Sequence, residues 1–125
     1  MSSIAEGEVV THERTFSESE VRTFAALSED RQPRHLDADD EGRLMVHGLL
    51  TATLPTKVGG DLEVLASRME FEFHRPVYTG QEVHCRVELT DVDPGEDRDE
   101  VRADVTCTVA GETVLTGGFE GVILR

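Results

Sequence analysis

The sequence predicts an α+β domain, one antiparallel sheet whose apolar face wraps around a hydrophobic helix. Three observations predict it. The second half of the chain alternates apolar and polar residues, as in Val83, Cys85, Val87, Leu89 and in Val101, Ala103, Val105, Cys107, Val109; a period of two gives each strand one buried face. The first half carries two segments with helical spacing instead. The length, 125 residues, suits one domain, residues 1–125, with one core.

The elements follow in order. "EVVTHERTF", Glu8 to Phe16, is rich in β-branched and aromatic residues and reads as a first strand. In "FSESEV", Ser17 and Glu20 have the spacing of a capping box, and Phe16 with Val21 that of a hydrophobic staple. A helix from Glu18 to about Ser28 follows, with Val21, Phe24, Ala25 and Ser28 on one face. The pattern then stops at "LSEDRQPRHLD", Leu27 to Asp37, a polar loop holding Asp30, Pro33 and His35 close together.

"GLLTATLPTKVGG", Gly48 to Gly60, predicts a second, hydrophobic helix, kinked or shortened by Pro55 and stopped by Gly59 and Gly60. Leu65, Met69, Phe71 and Phe73 open a run of four meandering strands. "DPGEDRD" is an acidic hairpin loop between two of them, and "TVLTGGFEGVIL" is a last strand, expected to bend at Gly117 and Gly118.

Charge sets this chain apart. It carries 26 acidic side chains against 12 basic ones, a formal net charge of −14, and Lys57 is its one lysine. Such a surface repels nucleic acid and anionic membranes and destabilises itself by self-repulsion. At molar salt the screening length falls to about 3 Å and most of that repulsion vanishes. The expectation is a cytoplasmic protein of an extreme halophile. The longest unbroken apolar run is "FAAL", too short to span a bilayer, and "MSSIAEGEVV" has no basic start or apolar stretch of a secretory leader. Cys85 and Cys107 lie in strand-like stretches without metal-ligand spacing and read as reduced core residues.

An Asp-Pro-His loop taken alone is ordinary turn chemistry. Here it lies within a longer pattern. The element order resembles the hot-dog fold. Three stretches resemble the MaoC-like branch, the (R)-specific enoyl-CoA hydratases: "SEDRQPRH" (Ser28 to His35) is similar to that family's Ser-Gly-Asp-x-Asn-Pro-x-His signature, "VHGLLTA" (Val46 to Ala52) to the entry into its central helix, and "FEFHRPVYTGQEV" (Phe71 to Val83) to its strand and turn. The resemblance runs from about Phe16 to Leu124. Glu29, Gln32 and Arg34 depart from the signature, Pro55 is unusual, and the His35–His47 segment is short.

The resemblance implies a catalytic pair, Asp30 and His35, with the backbone N–H of Gly48 donating to the thioester oxygen. It places Thr56 near the pair as a supporting hydroxyl; His47, Thr56 and Gln32 are the substrate-binding candidates. The implied substrate is a 2-enoyl-CoA thioester, hydrated to (R)-3-hydroxyacyl-CoA or formed in reverse. No metal and no bound organic cofactor are implied, and the expected partner is a second copy of the chain, since unpaired sheet edges favour pairing.

The chemistry suits these residues. Adding water across the double bond takes a proton from water and gives one to C2 while charge builds on the thioester oxygen. A carboxylate and an imidazole sharing one water perform both transfers, Pro33 holds Gln32 out of helical conformation, and a backbone N–H stabilises the oxygen. Gly48, without a Cβ, leaves room for close approach. Two alternatives compete. An acyl-CoA thioesterase needs an acid on or near the central helix, and "GLLTATLPTKVGG" holds none. The departures at Glu29, Gln32 and Arg34 keep open a non-catalytic acyl-thioester-binding module, or a subunit that only completes a partner, which a distorted loop with Asp30 and His35 pointing apart would favour. His12, His74 and His84 read as structural or surface residues and Glu29 as acidic surface. Arg75 either faces coenzyme A phosphates or pairs with a carboxylate, and the second is favoured in so acidic a chain.

Overall fold

The computed structural model describes residues 4–125. The chain runs β1 (Val9–Thr15), α1 (Glu18–Ser28), α2 (Pro33–Leu36), α3 (Gly48–Thr51), α4 (Thr53–Asp61), β2 (Leu65–Phe73), β3 (Glu82–Pro94), β4 (Arg98–Val109) and β5 (Glu112–Leu124). All strand pairs are antiparallel, and they build one five-stranded sheet in the order β1-β3-β4-β5-β2. The fold is the hot-dog arrangement of sheet and central helix.

The local signals act as their chemistry dictates. Ser17 Oγ accepts from the Glu20 N–H, and the Glu20 carboxylate accepts from the Ser17 N–H, closing a capping box at α1. Phe16 and Val21 are fully buried in the core beside it. The inward positions of β3 and β4 pack under Leu50, Leu54 and Val58 of the central helices in one cluster. Burying a side chain such as Leu54 contributes about 2 kcal/mol. Cys85 and Cys107 sit directly opposite each other in β3 and β4, both buried and both free thiols.

The structure adds to or differs from the sequence reading at several points. The strands after the helices are not a simple meander: β3, β4 and β5 are, but β2 crosses to the far edge and pairs with β5. Strand β2 has no buried face; Leu65 is 63% and Phe73 52% exposed. An edge strand shows its alternation to whatever covers it, and the short central helices leave much of it open. The central helix is interrupted, as a proline within it leads one to expect, but the break falls at Ala52, ahead of Pro55. Proline has no N–H for the carbonyl four residues back and its ring crowds that carbonyl, here Thr51, so the cost falls one turn upstream.

Nor do Gly59 and Gly60 end the helix, which continues to Asp61. The stop comes from Glu63, left-handed at φ 61°, with the Glu63 N–H donating to Gly60 O and the Val64 N–H to Gly59 O, a Schellman closure. At Gly117 and Gly118, the pairing register with both neighbours runs through without a shift. Their role is close approach: a Cβ on Gly117 would lie 1.9 Å from Glu70 O.

Candidate active site

The segment from Ser28 to Gly48 carries the chemistry, and tertiary contacts shape it. Helix α1 ends at Glu29, held left-handed at φ 62°, which turns the chain so that the Asp30 N–H donates to Ser28 Oγ. Gln32 is extended at φ −59°, ψ 146°, as the following proline requires, and Pro33 opens α2 at a position where no N–H is needed. One turn of helix then points His35 inward, where it is buried.

A second stretch pins the first. Val46 N–H donates to Val77 O, Leu44 N–H to Thr79 Oγ1 and Met45 N–H to Arg34 O. The Met45 carbonyl then lies 2.7 Å from His35 Nδ1. A carbonyl only accepts, so Nδ1 carries the hydrogen, and in the neutral ring Nε2 is the atom with the lone pair. That Nε2 lies 3.6 Å from Asp30 Oδ2, too far for a direct hydrogen bond. With the neutral ring, two acceptor atoms face one another without a direct bond, an arrangement suited to a molecule that donates to both.

The other Asp30 oxygen is held as well. Gln32 Nε2 donates to Asp30 Oδ1 at 2.9 Å. This bond, followed by the Gln32 backbone and the neighbouring imidazoles, holds the Asp30 carboxyl below the usual aspartate range against its partial desolvation. Asp30 is thus kept as the ionised carboxylate, able to accept a hydrogen bond.

His47 is 3% exposed and stacks on His35, with ring centroids 3.7 Å apart and planes 15° from parallel. Its Nε2 lies 3.0 Å from Asp30 O, so it donates there and locks the loop to the start of α3. The Nδ1 atom is buried without a partner among the described residues. His47 precedes α3 but its side chain does not cap it. Asp30, His35 and His47 each bring one ligating atom within 4.8 Å of the others. The two stacked rings keep their lone pairs in parallel planes, so they do not converge on one point as metal ligands do.

These residues line one cavity of about 680 Å³, together with Gly48, Thr51, Phe73 and Val77. A pocket of that size accommodates a small or medium-sized organic group. Gly48 is the first residue of α3, and the first N–H groups of a helix have no partner within it. The space that Gly48 frees is not empty. A Cβ there would lie 2.9 Å from the Phe73 ring, so the glycine lets Phe73 wall the slot.

Among the sequence candidates, Asp30, His35, Gly48, Gln32 and His47 share this cavity. Gln32 meets Asp30 directly. Thr56 lies apart, contrary to the expectation of a supporting hydroxyl: its Oγ1 bonds back to Ala52 O, and it borders a separate hollow with Met69 and Phe119. A threonine that returns its hydroxyl to its own helix has no free donor to offer. Arg75 pairs with Glu112 at 3.1 Å. The reading of the sequence missed the Met45 carbonyl and Phe73. The first has no sequence signal because every residue type carries that group.

Fold and site together define a hot-dog protein with a carboxylate–imidazole pair in a single cavity. The chain belongs to the MaoC-like domain family, whose model matches residues 2–111. It is 32% identical over 124 residues to the (R)-specific enoyl-CoA hydratase of Rhodospirillum rubrum, covering 91% of this chain and 84% of that protein. It is 32% identical over 114 residues to the 3-hydroxybutyryl-CoA dehydratase of Methylorubrum extorquens, covering 83% of this chain and 71% of that one. In structure it is similar to the (R)-hydratase of Aeromonas caviae involved in PHA biosynthesis, with a TM-score of 0.84 and 30% identity over the whole of both chains.

Proposed function

We propose that this chain is an (R)-specific 2-enoyl-CoA hydratase, acting also in reverse as an (R)-3-hydroxyacyl-CoA dehydratase. The observation that carries the reading is the 3.6 Å separation of Asp30 Oδ2 and His35 Nε2 in a cavity bordered by Gly48. One water donates to both. As its oxygen bonds to C3, one of the pair takes its proton, electron density moves onto the thioester oxygen near the Gly48 N–H, and the proton passes to C2 from the same face. Delivery from one side makes the addition syn. The amide of Gln32 keeps Asp30 ionised and oriented, and His47 ties the loop in place. Asp30 and His35 facing one another support an enzyme over a binding module.

The test is loss of enoyl-thioester absorbance from crotonyl-CoA in high potassium chloride, wild type beside Asp30→Asn, with the stereochemistry of the product determined. Rapid loss giving the (R)-alcohol, abolished by the substitution in a folded protein, is the expected result. Silence across crotonyl-CoA and its longer and branched homologues overturns the reading.

Three further properties are part of the proposal. The exposed apolar residues of edge strand β2 support a homodimer, which sedimentation equilibrium tests; a monomer at micromolar concentration refutes it. The charge of −14 supports a cytoplasmic setting in a halophile, where unfolding temperature rises steeply with potassium chloride; a flat response removes that reading. The 122 described residues 4–125 are proposed to act as one catalytic domain; limited proteolysis that releases a stable smaller fragment would refute this.

A further inference from the structure

In a chain with more than two carboxylates per cation, an arginine without a carboxylate is the exception. Among the described residues, Lys57 and all arginines but two lie within ion-pairing distance of an acidic side chain. The two are Arg31 and Arg34. Both belong to the loop that carries Asp30 and His35, both are exposed, and Arg34 lines the cavity. Asp30, next to Arg31, is already committed to Gln32 and faces His35, and Asp37, three residues beyond Arg34, is not within ion-pairing distance of it among the described residues. Among the described residues, the arginine charge without a carboxylate partner thus lies in the loop of the site.

We infer that Arg34, with Arg31, forms an anion-binding rim that takes a phosphate group of the substrate's coenzyme A moiety. The inference rests on an acyl-CoA thioester occupying the cavity. With the thioester carbon beside Asp30, His35 and Gly48, the nucleotide end extends out of the cavity past its exposed border, and Arg34 is one of the exposed residues that line it. A guanidinium presents a planar fork of N–H donors that matches phosphate oxygens. Screening makes the placement matter. At physiological salt the Debye length is about 8 Å, so the ligand's phosphates respond to charges at the rim and little to the net −14 of the whole chain. The same net charge disfavours an acidic carrier protein as the thioester's bearer, because a protein docks over a wide area of this surface. A nucleotide touches only the rim.

The test is equilibrium binding of saturated, unreactive thioesters, measured by calorimetry. Butyryl-CoA, butyryl-dephospho-CoA and S-butyryl-pantetheine are titrated into the wild type, Arg34→Gln, the double variant Arg31→Gln/Arg34→Gln, and Arg22→Gln as a charge-matched control on α1, with folding checked by circular dichroism. Arg34→Gln is expected to weaken butyryl-CoA about tenfold, the double variant more. S-butyryl-pantetheine is expected to bind all four proteins alike, and Arg22→Gln to bind as the wild type does. An Arg34 effect that disappears with butyryl-dephospho-CoA assigns the 3′-phosphate, and one that persists assigns the diphosphate; both support the rim. Equal weakening of S-butyryl-pantetheine, equal weakening by Arg22→Gln, or no weakening at all overturns it. Because nothing reacts, a protein that binds butyryl-CoA through Arg34 yet fails to hydrate crotonyl-CoA keeps this inference and loses the hydratase reading.

Discussion

In the β3–β4 hairpin, the inward positions are filled by Val83, Cys85, Val87 and Leu89 against Val101, Ala103, Val105 and Cys107, all buried and all apolar or thiol. In the segment from Ser28 to Gly48, the buried side chains include two imidazoles, His35 and His47. The hairpin satisfies its polar groups through its own ladder. The segment satisfies them through carbonyls borrowed from elsewhere in the loop, Met45 O for His35 and Asp30 O for His47. The first arrangement stabilises by removing apolar area from water. The second spends stability on holding ring nitrogens and a carboxylate in one geometry, and leaves His47 Nδ1 without a partner among the described residues. Stability and activity should therefore separate along the boundary between the two regions.

The sharpest separation is expected from Asp30→Asn. Removing the base should lower kcat/KM for crotonyl-CoA by about a thousandfold, while the thermal unfolding midpoint stays where it is. A large loss of stability instead would show that the pair holds the fold together. Leu89→Ala works from the other side. Leu89 is fully buried in β3, and the cavity left behind should cost about 3 kcal/mol in urea unfolding, with kcat unchanged for the protein that remains folded.

His47→Phe should fall between these. The ring stack on His35 survives, but the donor to the Asp30 carbonyl is lost. The expected result is a drop in kcat of about tenfold with little change in KM, partly restored in His47→Gln, which keeps an N–H donor. A purely structural role would move stability and leave that rescue absent.

The smallest effect concerns charge alone. Gln32 donates to Asp30 and is the leading cause of its lowered pKa. In Gln32→Leu that stabilisation of the carboxylate disappears, so the Asp30 titration followed by carbon-detected NMR should move upward, toward the ordinary aspartate value. A midpoint that stays put would mean that the imidazoles, not the amide, hold Asp30 ionised.

The comparison also explains what was legible. Period-two alternation and the Ser17–Glu20 box are local, so β3, β4 and the start of α1 could be read directly. Strand β2 showed the same alternation, yet its apolar residues are exposed, because burial depends on which edge of the sheet a strand joins. Asp30, His35 and Gly48 were readable as residue types in a familiar order. Glu29 looked like a departure where glycine is usual, but it adopts the left-handed conformation that glycine serves there. Thr56 was misplaced because its position on the broken central helix, and the return of its hydroxyl to Ala52, depend on packing.

By itself, the sequence determined the hydrophobic periods, the helix start at Ser17, the acidic surface and the set of groups able to move a proton, since each follows from side-chain chemistry or near-neighbour spacing. The tertiary structure alone decided that β2 pairs with β5, that Met45 O selects the His35 tautomer, that His47 stacks beneath it, and that Phe73 fills the space beside Gly48. Those outcomes join residues far apart in the chain or use backbone carbonyls that every residue shares, so no local pattern encodes them.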